Sequence, residues 1–293
     1  MIYIYSPPTI KCYFIQVMKA IEYELNNLNC PCKITDTLQL PKVERTKKNF
    51  LILFGFHDIC NIEQVKKYIN QFTTIVYNSE QLHLNHLKYY INCLKNIDYI
   101  WDYSINNINY LKELNIYNTV HIPLGYSKSF ILNNDKDNNN ILNNNKLNKN
   151  NERIVFIGNM NLRRYNIIRK IDSLNQDVIF FDKLWGNEHD ECIKNNTLFL
   201  NIHYYPKPIL ELFRIIPLIC NKCAVISEYS SDTELDKMYS SYISFFKEDL
   251  SDFIKAKEIS LSERITRYNN FCNEMSFSKI INSSGVLKYL KNI

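Results

Sequence analysis

Residues able to do chemistry fall just past the ends of short apolar runs. One group is Asn201-Ile-His203-Tyr204-Tyr205, followed by Glu211 and Arg214. An imidazole, a carboxylate and a guanidinium in that order suit hydrogen bonding to hydroxyls and charge pairing with an anion. Glu211 and Arg214 are three apart, the spacing of one helical face, and a surface ion pair is the ordinary reading of that spacing. Yet the stretch is otherwise apolar: Ile209, Leu210, Leu212, Phe213, then Ile215, Ile216, Leu218 and Ile219. A Glu and an Arg in such company need partners or a polar cleft.

A second group is Gly158-Asn159-Met-Asn161-Leu-Arg163-Arg164, after the apolar run Arg153–Ile157. Gly158 permits a tight turn and close approach of a ligand. The amides and dipole of a helix starting there favour phosphate, and Arg163 and Arg164 offer forked donors to a diphosphate. The plainer alternative is a strand-to-helix turn with two solvated arginines. Ser227-Glu228 follows the run Cys223–Ile226 and suits ribose or sugar hydroxyls, or a helix cap together with Ser230, Ser231 and Asp232. His57-Asp58 follows Phe50–Phe56, and Asn78-Ser79-Glu80 follows Thr74–Tyr77. Imidazole titrates near neutrality, so His57 is a candidate general base as well as an ordinary loop histidine.

Metal chemistry finds little support. Cys220-x-x-Cys223 and Cys30-Pro-Cys32 are close pairs without a matching pair at finger spacing, so no metal is expected and Cys223 reads as a core thiol. No P-loop, Gly-x-Gly-x-x-Gly or His-Glu-x-x-His occurs. The 21 Tyr and 16 Phe are scattered, without an RNA-binding aromatic pattern.

The elements that must position these residues alternate along the chain. Strands are expected at Ile2–Tyr5, Phe50–Phe56, Thr74–Tyr77, Tyr99–Asp102 and Thr119–Ile122. Helices are expected at Tyr13–Leu28, Ile62–Phe72, Leu82–Asn96 and Ser104–Leu114. Further on, strands at Arg153–Ile157, Asp177–Phe181, Thr197–Asn201 and Cys223–Ser227 alternate with helices near Arg163–Ser173, Glu188–Asn195 and Pro208–Cys220. Short apolar strands separated by helices imply parallel sheets covered on both faces, with ligands beyond the strands' carboxyl ends. Residues 133–151 contain eleven Asn and no aromatic residue, which predicts a flexible insertion between two α/β domains. The expected division is 1–126, a linker at 127–152, and 153–293, with the last helix packing back on the first domain.

Composition narrows the classes. The chain has 293 residues, 46% of them hydrophobic, which excludes global disorder. No apolar run approaches the ~18 residues of a membrane helix, and no signal peptide is visible, so a cytosolic site is expected. Nine cysteines, an odd count, are expected to be reduced. A net charge of +5 suits an anionic small molecule and is modest for a nucleic-acid coat. Asn, Ile, Lys and Tyr are abundant while Gly is scarce, the signature of an A+T-rich genome rather than of function.

The second half resembles the nucleotide-sugar domain of GT-B glycosyltransferases, specifically the group-1-like proteins of bacteria and large DNA viruses. The likeness runs through IVFIGNMNLRR, LFLNIHYY, ILELFRIIPLICNKCAVISE and YISFF; IVYNSEQL, YIWDYSINN and HIPLGY extend it into the first half. It implies two Rossmann-like domains facing across a cleft, the first binding an acceptor and the second a nucleotide-sugar. His203 and Glu211 match the family's His-x7-Glu or Glu-x7-Glu pair. By resemblance, His203 contacts phosphate or sugar and Glu211 accepts hydrogen bonds from the ribose hydroxyls. Arg163 or Arg164 would balance the leaving diphosphate without a metal, and the nucleotide-sugar is a substrate, so no cofactor is implied. His57, Arg163, Arg164 and His203 are thus the catalytic candidates. Gly158, Asn159, Asn161, Tyr204, Glu211, Arg214, Ser227 and Glu228 are the donor-binding ones. Were the source viral, the site of action would be host cytoplasm or virion. Two other readings remain: a GT-B-like binding protein without turnover, and a DNA-base glucosyltransferase, which the modest charge disfavours.

Overall fold

Four-residue runs such as Ile2–Tyr5 and Phe50–Leu53 are buried at every position, as strands covered on both faces must be. The computed structural model describes residues 1–38, 49–63, 65–66, 71–132 and 153–291. The predicted Asn-rich insertion and most of the linker therefore lie outside the described residues, as do residues 64 and 67–70 of the helix predicted at Ile62–Phe72.

Two parallel sheets result. The first comprises β1 (Ile2–Tyr5), β2 (Cys32–Thr35), β3 (Phe50–Leu53), β4 (Thr73–Asn78), β5 (Tyr99–Asp102) and β6 (Thr119–His121), in the order β2-β1-β3-β4-β5-β6. The second comprises β7 (Ile154–Ile157), β8 (Val178–Phe181), β9 (Leu198–Asn201), β10 (Ala224–Glu228) and β11 (Ser244–Phe246), in the order β11-β10-β9-β7-β8. Each order reverses once, between β1 and β3 and between β7 and β9. At such a point the connections leave to opposite faces and open a crevice at the strand ends. Two compact units are formed, Met1–Ser129 with Met275–Ile293, and Phe130–Glu274.

Helix ends explain how a chain with five glycines folds. Helices Lys11–Asn27, Ile105–Glu113 and Leu162–Ser173 are followed by Asn29, Asn115 and Asn175, each with φ near +60° (60°, 61° and 58°). Asparagine is the non-glycine residue that best tolerates this left-handed conformation. Helix starts use side-chain caps: Ser104, Asn161, Asp232 and Ser276 each accept a backbone N–H three residues on.

Several elements differ from expectation. The predicted strand Phe50–Phe56 ends at Leu53, because Gly55 turns left-handed (φ +61°) and Phe56–Ile59 form a helical turn. A Cβ on Gly55 would lie 2.2 Å from Ile10 Cδ1 and push that side chain aside, and the left-handed φ itself favours glycine. Instead of one helix over Leu82–Asn96, a 3₁₀ turn at Asn85–Leu87 precedes helix Lys88–Leu94. The helix predicted at Pro208–Cys220 starts at Leu212. The Pro208 carbonyl accepts instead from the Ser231 N–H and hydroxyl, at 2.7 and 2.6 Å, which holds 208–211 non-helical.

The last segment completes the first unit. Tyr126 N–H donates to the Met275 carbonyl at 2.7 Å and Phe277 N–H to that of Tyr126 at 2.9 Å. A Cβ on Gly125 would lie 2.2 Å from the Met275 oxygen, so only glycine fits this crossing. Farther on, Trp101 Nε1 donates to the Tyr289 hydroxyl at 2.7 Å, and the Tyr289 ring stacks on Tyr99 at 4.0 Å.

Candidate functional site

Three neighbouring strands of the second sheet deliver the predicted residues to one place. β7 leads into Gly158, β9 into Ile202-His203, and β10 ends in Glu228. Helix Leu162–Ser173 starts beside them, capped by Asn161. The Asn161 Oδ1 accepts from the Arg164 N–H at 2.9 Å, and its Nδ2 donates to the Tyr204 carbonyl at 2.9 Å. One side chain thus ties the helix start to the residue after His203.

Arg164 is only 2% exposed. Its Nε donates to the Ile202 carbonyl (2.9 Å), Nη1 to that of Asn159 (2.7 Å) and Nη2 to the Glu211 carboxylate (3.2 Å). The guanidinium also lies over the rings of Phe156 and Tyr204, at 5.2 and 5.1 Å. Burial, then the charge of Arg214, pulls its pKa down to about 10, which leaves it charged at neutral pH. Gly158 makes the room: a Cβ there would lie 3.3 Å from Arg164 Nη1 and 3.4 Å from Arg214 Nη2.

Arg163 is directed elsewhere. It grips the Glu228 carboxylate with both terminal nitrogens, at 2.8 and 2.7 Å, donates to the His203 carbonyl at 2.8 Å and approaches Glu248 at 3.3 Å. The Glu228 hydrogen bonds raise its pKa further. Glu228, itself 2% exposed, also accepts the His203 backbone N–H at 2.8 Å.

His203 is fully buried. Its Nδ1 lies 2.9 Å from Glu211 Oε2 and its Nε2 3.0 Å from the Glu228 carbonyl. Glu211 occupies the position just before helix Leu212–Cys220 and is reached by Arg164, His203 and, at 3.8 Å, Arg214. Burial alone would raise its pKa. The charges of Arg214, His203 and Arg164 outweigh that and hold the carboxylate ionised, well below the usual range. Arg214 Nη1 donates to Asn201 Oδ1 at 3.0 Å. Asn201 Nδ2 donates to Ser227 Oγ at 3.0 Å, and that hydroxyl donates to the Glu228 carbonyl at 2.9 Å.

All the candidates from Gly158 to Glu228 therefore converge. His57 does not join them: it lies in the other unit, in the turn after β3, at 3.3 Å from both Asp58 and Glu80. Cys223 is buried beside the Asn196 carbonyl (3.6 Å), and burial pushes its thiol up to about 12. All nine cysteines are free thiols. Sequence reasoning missed Phe156 and Glu248 as supports, and nothing in the sequence marks Glu248. Asn201, which opens the Asn201–Tyr205 group, acts as a support through its bonds to Arg214 and Ser227.

No protein-family model matches the chain, and no curated protein matches it in sequence. Solved structures do match in shape. The Anabaena protein HepE in complex with UDP and glucose aligns at TM-score 0.61 and 8% identity, over 100% of this chain and 99% of that one. WaaG, a glycosyltransferase involved in lipopolysaccharide biosynthesis, aligns at 0.53 and 8%, over 98% and 99%. A glycosyltransferase from Rickettsia africae aligns at 0.52 and 12%, over 99% and 97%. These likenesses, with the two parallel sheets, establish the fold: it is the α/β fold of the GT-B glycosyltransferases.

Proposed function

We propose that this protein is a glycosyltransferase that moves a sugar, of the hexosyl type, from a nucleotide-sugar to an acceptor still to be identified. The Glu211 carboxylate carries this reading. Two arginines and the His203 ring fix it and keep it ionised, and its side chain remains 18% exposed. Each oxygen has lone-pair capacity to spare, and a ribose presents two adjacent hydroxyl donors. The fold supports the same reading, since HepE was also solved with UDP-glucose.

On this reading Gly158, Asn159, Asn161 and Tyr204 border the donor, while buried His203, Ser227 and Glu228 support Glu211 and its surroundings. An arginine, rather than a metal, faces the diphosphate. His57 is the candidate base toward the acceptor, and the site of action is cytosolic. Among the described residues no helix is long and apolar enough to cross a membrane, and no group of three or more His, Cys, Asp or Glu is placed to hold a metal ion.

The test is a thermal-shift series with UDP, GDP, ADP, CDP and their common sugars on the wild type and Glu211→Ala. A ligand that binds only the folded state raises the melting temperature. One nucleotide family should stabilise the wild type and not the variant. No stabilisation by any of them overturns the proposal. Stabilisation without sugar transfer or donor hydrolysis would favour a binding protein on the same fold.

A further inference from the structure

We infer that Arg214, rather than Arg163 or Arg164, is the cation that meets the terminal phosphate of a bound nucleoside diphosphate. The inference rests on the donor site proposed above and assigns its electrostatics.

The three arginines differ in what their donors already do. Arg163 spends both terminal nitrogens on the buried Glu228 carboxylate and one of them also on the His203 carbonyl. Its charge is balanced within the fold, and moving it would strand Glu228. Arg164 is a buried strut, with Nε, Nη1 and Nη2 each bonded and aromatic rings at its guanidinium. Arg214 makes one hydrogen bond, from Nη1 to Asn201. Its distance to Glu211, 3.8 Å, is that of a loose ion pair, and its side chain is 27% exposed. Nε and Nη2 bond to none of the described residues.

Position supports the assignment. Arg214 Nη2 lies over Gly158, where any Cβ would stand 3.4 Å away. Gly158 is the first residue after β7, at the crevice where the strand order reverses, the place where open α/β sheets receive phosphates. The nearby His189 adds no charge at neutral pH: burial lowers its pKa, Asp190 only partly restores it and Arg214 lowers it again. Arg214 therefore presents an unspent, planar fork toward the phosphate side of Glu211, which suits bidentate recognition.

The experiment compares diphosphate with monophosphate by calorimetry, using UDP against UMP and the GDP, ADP and CDP pairs in the same way. Wild type should bind the diphosphate of its preferred base at least roughly tenfold tighter than the monophosphate, as a charge-assisted contact implies. Arg214→Gln should bring that ratio to about one: the diphosphate loses roughly tenfold more than the monophosphate, whose smaller loss reflects the loose Arg214–Glu211 pair. Arg214→Lys should keep part of the preference and controls for folding. An unchanged ratio in Arg214→Gln overturns the inference and leaves the donor site standing. Equal loss of monophosphate and diphosphate binding overturns it too, by showing a structural role. A wild type that binds no nucleotide removes the donor site and this assignment together.

Discussion

Glu228 holds His203 at two points of the same residue: its carboxylate accepts the His203 backbone N–H at 2.8 Å, and its own carbonyl oxygen faces the ring Nε2 at 3.0 Å. The ring is thereby fixed with Nε2 at the Glu228 carbonyl and Nδ1 at the Glu211 carboxylate. The orientation of the Glu211 carboxylate is thus set from β10, two layers of contact behind it. The same Glu228 carboxylate neutralises Arg163.

Removing Glu228 should be costly for that reason. Glu228→Ala leaves a half-buried guanidinium without its partner and should lower the stability of the second unit by about 3 kcal/mol or more. The double change Arg163→Met with Glu228→Leu should cost less than Glu228→Ala alone, because no charge is stranded. Urea unfolding of the wild type and both variants by circular dichroism decides it; equal losses would show that the pair is not coupled.

Asn161 has two separable jobs. Asn161→Ala removes a helix cap and should cost about 1 kcal/mol. Asn161→Asp keeps the cap but cannot donate to the Tyr204 carbonyl. The Asp variant should therefore melt close to wild type yet bind nucleotide more weakly. Full nucleotide affinity in the Asp variant would show that the bond to Tyr204 does not shape the site.

Stability against pH should carry the mark of Glu211. Its folded pKa lies below its unfolded value of about 4.3, so its contribution is present above about pH 5 and is lost as pH falls. The stability gap between wild type and Glu211→Gln should be constant from about pH 8 to 5 and shrink below about pH 4. Thermal melts across that range test the sign. A gap that widens in acid contradicts an ionised Glu211.

In the first unit, Tyr289→Phe removes the acceptor of a fully buried indole N–H and should cost about 1–2 kcal/mol. Tyr289→Ala also removes the ring stacked on Tyr99 and should cost about 3 kcal/mol or more. Hydrogen exchange at the amides of β5 reads both; unchanged protection there would mean that the C-terminal segment is not part of this core.

Much of this molecule was legible in its sequence, and the failures have physical causes. Continuous apolar runs announced β1, β4, β7 and β9, because parallel strands are buried on both faces. Phe50–Phe56 was read too long, since apolar content alone does not separate a strand from a buried turn. β2 (Cys32–Thr35) and β11 (Ser244–Phe246) are short, partly exposed edge strands without such a run. The cluster of Gly158, Arg164, His203, Glu211 and Arg214 was visible because each follows a strand or opens a helix. The partner of Arg163 was not: Glu228 is 65 residues away in sequence, and which of two adjacent arginines turns toward it depends on helix rotation at Asn161.

The return of Met275–Ile293 to the first unit has a consequence for biosynthesis. Phe130–Glu274 is one unbroken stretch and is fully translated while the first unit still lacks Tyr289. Trp101 therefore emerges with its indole N–H unanswered, and its partner arrives 188 residues later. The unit begun first is the unit finished last, so the exposed end of the first sheet must be tolerated, or shielded, through the translation of the whole second unit.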